Sequence, residues 1–97
     1  MGHQGNINSY SFRVCDGVTY EKLEETYIIL NTNDGEYYEL NSTSSFIWDQ
    51  VCLEQNIGNI ILEAKNHFKV CENIDQEIIS ALSELESLKL IIANRIE

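Results

Sequence analysis

The stretch Asp34–Trp48, "DGEYYELNSTSSFIW", sets a turn, a strand and a helix start side by side with almost no connecting residues. Asp34-Gly35 is a hairpin signal, because glycine accepts the positive φ that such a turn needs. Before it, Thr26–Leu30 runs through Tyr27, Ile28, Ile29 and Leu30, the aromatic and aliphatic residues of a buried strand. After it, Glu36–Leu40 alternates: Tyr38 and Leu40 share one face, Tyr37 and Glu39 the other. Leu40 is the best core candidate of these. Asn41, Ser42 and Thr43 then offer side-chain oxygens to cap a helix that runs to about Leu53. In it Ile47 and Val51 share a face, as do Trp48 and Cys52.

Val18–Leu23 is a further strand, joined to Thr26–Leu30 by Glu24-Glu25. Downstream the period becomes helical. Ile57, Ile61, Ala64 and Phe68 form an apolar stripe over Ile57–Phe68. A third helix begins near Asn73–Asp75, with acid at its N-terminal dipole. Its stripe is Ile74, Ile78, Ala81, Leu82, Leu85 and Leu88, with Glu77, Glu84 and Ser87 away from the centre. Ile79 lies beside Glu86, off the stripe centre by about 100° of helical rotation. The expected fold is α+β: a three-stranded antiparallel sheet followed by three helices, winged-helix-like. Residues 1–10 are expected as a flexible tail, 11–92 as the domain and 93–97 as a fraying tail. Such a small meander needs helices on one face. Sequential pairing puts Thr26–Leu30 in the middle and leaves Glu36–Leu40 outermost. Either Glu36 and Glu39 blunt that edge, or the edge is a docking site.

Composition narrows the function. The 97 residues suffice for one domain with a modest core. No apolar run approaches the ~18 residues of a membrane span, and the N-terminus lacks a basic-then-apolar signal pattern. Acidic residues outnumber basic ones 16 to 6, for a net charge of −10. A duplex-binding protein needs a basic face, whereas Arg13, Lys22, Lys65, Lys69, Lys89 and Arg95 are scattered. The acidic surface favours solubility and basic partners. Cys15, Cys52 and Cys71 lack CxxC spacing, which points to a reducing, cytoplasmic setting rather than a disulfide framework. Catalytic inventory is missing. His67 and Cys71, four apart, supply two of the about four ligands zinc needs. Cys52 reads as a small buried hydrophobe, and no glycine-rich phosphate loop occurs. The chain is therefore expected not to be an enzyme and to carry no metal or cofactor. Tyr37 and Tyr38 suit either packing or partner contact.

Taken together, "YIILNTNDGEYYELNSTSSFIWDQV", Tyr27–Val51, resembles the PqqD family, the RiPP recognition elements that bind leader peptides of ribosomally made, modified peptides. The resemblance rests on the strand Tyr27–Leu30, the turn Asp34-Gly35, the run Tyr38-Glu39-Leu40-Asn41, the polar helix start, Ile47-Trp48, and Ala81, Leu82 and Leu85. It extends over Val18–Ile92. Lys89 departs from the pattern, standing where the family often has glycine before leucine. The resemblance implies that a leader peptide adds as a strand along Glu36, Tyr37, Tyr38, Glu39 and Leu40. It implies a wall from the third helix drawn from Asp75, Ile78, Ile79, Leu82, Ser83 and Glu86. Ile79 and Leu82 would be apolar anchors, although Leu82 reads equally as core. Glu39 and Glu86 would meet a leader lysine or arginine. The implied partners are the precursor peptide and a modifying enzyme, either a leader peptidase of the lasso-peptide type or a radical-SAM enzyme. No nucleic-acid or membrane partner is implied. The rival readings are a winged-helix nucleic-acid binder and a module that pairs its open edge with itself.

Overall fold

Gly35 has φ +77°, and its N–H donates to the Asn31 carbonyl at 2.7 Å. The Asp34 carboxylate accepts from Glu36 N–H at 2.9 Å. Glycine and aspartate thus close the turn as their sequence position predicts, in a loop of Thr32–Gly35. The computed structural model describes residues 10–68 and 73–95. Its elements are β1 (Tyr10–Val14), β2 (Val18–Leu23), β3 (Thr26–Asn31), β4 (Glu36–Glu39), α1 (Ser42–Cys52), α2 (Ile57–Phe68), α3 (Ile74–Ser87) and β5 (Ile91–Arg95). The antiparallel sheet has the order β2-β3-β4, with β3 central as expected.

The register decides which backbone groups face outward. Leu40 N–H donates to Tyr27 O at 2.9 Å, so Tyr27 and Leu40 lie opposite each other as a hydrogen-bonding pair. In an antiparallel ladder such pairs alternate. Ile29–Tyr38 and Asn31–Glu36 are therefore the next two. On the other flank Thr32 N–H donates to Gly17 O at 2.8 Å. That assigns Leu30, Ile28 and Thr26 to β2, consistent with the first assignment. Ser45 finishes the β3–β4 ladder from α1: its hydroxyl accepts Tyr27 N–H at 3.0 Å and donates to Leu40 O at 3.5 Å. Asn41 is the helix cap, accepting Ser44 N–H at 2.8 Å.

One face of the sheet packs on the helices. Tyr27, Ile29 and Leu40 meet Ile47, Trp48 and Val51 of α1, with Ile60, Ile61 and Ala64 of α2 and Ile74, Ile78, Leu82 and Leu85 of α3 in the same core. Trp48 is fully buried and takes the edge of Tyr20 at a ring separation of 5.4 Å. Leu40 is buried, as its alternation predicts. Cys52 is not: it ends α1 and is exposed, beside the Tyr20 hydroxyl. The burial of Trp48 does not carry four residues on. Cys71 lies outside the described residues.

A second sheet was not expected. β1 pairs with β5, Tyr10 opposite Arg95 and Val14 opposite Ile91. Phe12 and Ile91 are buried in the common core. Tyr10 and Ala93–Arg95, assigned to tails on sequence, are thus in ordered strands, and the strand pair spans 10–95 where the domain was drawn as 11–92. Residues 1–9 and 96–97 lie outside the described residues. No described helix is long and apolar enough to cross a membrane.

Candidate functional site along the free edge of the sheet

The ladder leaves the backbone N–H and C=O of Tyr37 and Glu39 pointing away from β3, since the neighbouring positions Tyr38 and Leu40 are the ones that pair with Ile29 and Tyr27. Beside this edge runs α3. A cleft of about 200 Å³ lies between them, its β4 side formed by Tyr38, Glu39 and Leu40 and its helix side by Ala81, Glu84, Leu85 and Leu88. A second cleft of about 380 Å³ continues along the helix past Glu77, Ser80 and Ala81 to the first turn of α1. Asn41, Ser44, Ala81 and Glu84 line both. The two form one trough from Gln76 to Leu88, roughly 18 Å at the rise of a helix. That is the length of an extended segment of about five residues.

The floor is apolar and the rim acidic. Leu85 is buried, and Ala81 and Leu88 are half-buried. Glu39, Glu77 and Glu84 are exposed. Tyr37 is 69% exposed and Tyr38 only partly so, which separates them as alternation predicts. Burial first, and then the charges of Asp34 and Glu36, push the Tyr38 phenol up.

Glu36, Tyr37, Tyr38 and Glu39 lie on the edge strand β4 and Leu40 directly follows it, whereas the α3 residues named from sequence lie elsewhere than beside that edge. Ile78 and Leu82 are 0% and 2% exposed, so they are core residues with no surface to offer a peptide. Ile79 is exposed, but it, Asp75, Ser83 and Glu86 line neither cleft. Asp75 faces α2, where it pairs with Lys65 at 3.4 Å. Glu86 faces the β1 end and contributes to raising the Cys15 thiol pKa, behind the larger effect of burial. The flank of α3 beside β4 carries Glu77, Ala81, Glu84 and Leu88 instead, at a 4-3-4 spacing on the other side of the buried stripe. The sequence signal was a small residue, Ala81, between two carboxylates.

An α+β domain with three helices behind a three-stranded sheet, and one free strand edge facing the last helix, is the class of protein these features define. The chain belongs to the PqqD family: the family model described as Coenzyme PQQ synthesis protein D (PqqD) matches residues 26–91. The solved structure "TbiB1 in Complex with the TbiA(beta) Leader Peptide" has the same fold, with a TM-score of 0.77 and 18% identity over 81% of this chain and 93% of that one. "Lasso peptide synthetase B1 complexed with the leader peptide" is similar at a TM-score of 0.75 and 16% identity, over 84% and 96%. No curated protein matches the sequence.

Proposed function

We propose that this chain is a RiPP recognition element: it captures the leader segment of a precursor peptide as an added strand on β4 and presents it to a modifying enzyme. One observation carries the reading. The outward N–H and C=O groups of Tyr37 and Glu39 form a free strand edge, and its Glu39 end borders the cleft between β4 and α3. Membership of the PqqD family and likeness to two proteins solved with leader peptides support it.

The edge offers up to about four main-chain hydrogen bonds, each contributing about 0.5–1.5 kcal/mol net. A disordered leader costs several kcal/mol to order. Main-chain pairing therefore sets direction and register, and side chains seated on Ala81, Leu85 and Leu88 supply the surplus. In this reading the domain performs no bond chemistry. It raises the concentration of the precursor near an enzyme, whether a leader peptidase or a radical-SAM enzyme.

The test is amide exchange by NMR, with the N-terminal half of a precursor peptide encoded beside the gene. In the free protein Tyr38 and Leu40 should be protected, and Tyr37 and Glu39 should exchange fast. Saturating peptide should protect Tyr37 and Glu39. Peptide binding that leaves both amides fast would sink strand addition on β4. Shifts with duplex DNA instead would favour the winged-helix reading, and protection that grows with protein concentration alone would favour self-pairing.

A further inference from the structure

The trough carries one sign of charge and an apolar floor, and the combination selects a side-chain type. Glu39 and Glu84 border the cleft next to β4, and Glu77 and Glu84 the cleft beyond it. No lysine or arginine lines either. Among the described residues, the ion pairs join Lys22 to Asp49 and Lys65 to Asp75, so none engages these three glutamates. The first turn of α1 at the far side is already capped by Asn41. Glu77 and Glu84 stand about 10.5 Å apart along the helix, beyond the ~8 Å screening length of physiological salt, so a cation between strand and helix gains from Glu84 and Glu39 rather than from Glu77. Ala81, Leu85 and Leu88 form the floor under Glu84. A long basic side chain matches that profile: its methylene stem covers apolar surface while its head reaches a carboxylate.

We propose that the peptide accepted at this edge is a basic one, with a lysine or arginine whose stem lies on Ala81, Leu85 and Leu88 and whose charge is held by Glu84 and Glu39 on the rim. This inference rests on the strand-addition reading and adds the chemistry of the ligand. Glu84 is the central determinant because it borders both clefts.

The experiment selects a phage-displayed library of random dodecapeptides against the full chain, its Glu84→Gln variant and its Glu84→Lys variant. Selection on the unaltered chain should enrich peptides with lysine or arginine next to an apolar residue in a β-prone stretch. Synthetic copies should bind Glu84→Gln about fivefold more weakly, and the difference should shrink in high salt. Glu84→Lys should shift enrichment towards aspartate or glutamate. Circular dichroism and Leu40 amide protection confirm that both variants keep the fold. If peptides are enriched and protect Tyr37 and Glu39 but carry no basic bias, or bind Glu84→Gln unchanged, the charge inference fails and strand addition stands. If nothing is enriched, or the enriched peptides leave the β4 edge unprotected, both fail.

Discussion

Lys89 adopts φ +65° and forms the turn that ends α3. Its N–H donates to Glu86 O at 2.9 Å, and Leu90 N–H reaches back to Leu85 O at 3.1 Å. These are the two bonds of a Schellman ending, whose left-handed position favours glycine. Here a lysine rather than a glycine holds that position. The side chain of Lys89 is exposed, so removing it gives up no packing. Lys89→Gly relieves about 1–2 kcal/mol of left-handed strain and returns up to about 1 kcal/mol through the freer unfolded chain. The expected net is a stabilisation of about 0.5–1 kcal/mol, read as a higher urea midpoint at unchanged slope. A lower midpoint would mean that the lysine makes a contact of its own. Glu54, at φ +56°, ends α1 in the same way: its N–H donates to Val51 O, and Gln55 N–H donates to Gln50 O.

The β4 strand has two kinds of residue, and a proline scan distinguishes them. Tyr37→Pro removes an outward N–H that no ladder bond uses, and an edge strand tolerates proline there. Stability should fall little, while affinity for a strand-adding peptide drops by tenfold or more, about the loss of one good main-chain bond and its register. Tyr38→Pro removes an inward N–H paired with Ile29 and should destabilise the sheet by about 3 kcal/mol. Thermal melts and a binding titration on both variants check the assignment; reversed behaviour would mean that the ladder is shifted by one residue. This strand was legible in sequence because turn, alternation and cap are all local. The trough wall on α3 was not. The apolar stripe of Ile78, Leu82 and Leu85 has two flanks with equivalent spacing, one led by Asp75, Ile79 and Glu86 and the other by Glu77, Ala81 and Glu84. Which flank meets β4 depends on how the helix seats on the sheet, which no periodicity contains. β1 and β5 escaped for a related reason: they come from opposite ends of the domain, and no turn between them announces the pairing.

At the scale of the molecule, the β1–β5 pair holds α3 in position. Cys15 N–H donates to Leu90 O at 3.0 Å directly after the Schellman turn, so the C-terminal end of α3 is tied to the strand that opens the described structure. Leu85 and Leu88, which line the trough, lie in that last part of the helix and its cap. Phe12 is the apolar anchor of β1, 6% exposed, opposite Ala93 and in the same core as Ile91. Phe12→Ala should cost about 3–5 kcal/mol, a large share of the roughly 5–15 kcal/mol that keeps a domain folded. The variant should show a much lower urea midpoint. Where it remains folded, it should bind peptide more weakly, because a loosened clasp lets the helix wall move away from β4. The two effects separate under conditions where both proteins are more than nine-tenths folded by circular dichroism, a margin of about 1.4 kcal/mol. A weaker affinity there means that the clasp shapes the trough as well as stabilising the fold. An unchanged affinity with a lower midpoint means that β3, β4 and α1 alone hold α3 in register. An unfolding free energy within about 1 kcal/mol of the parent's would show that the second sheet is accessory to the core.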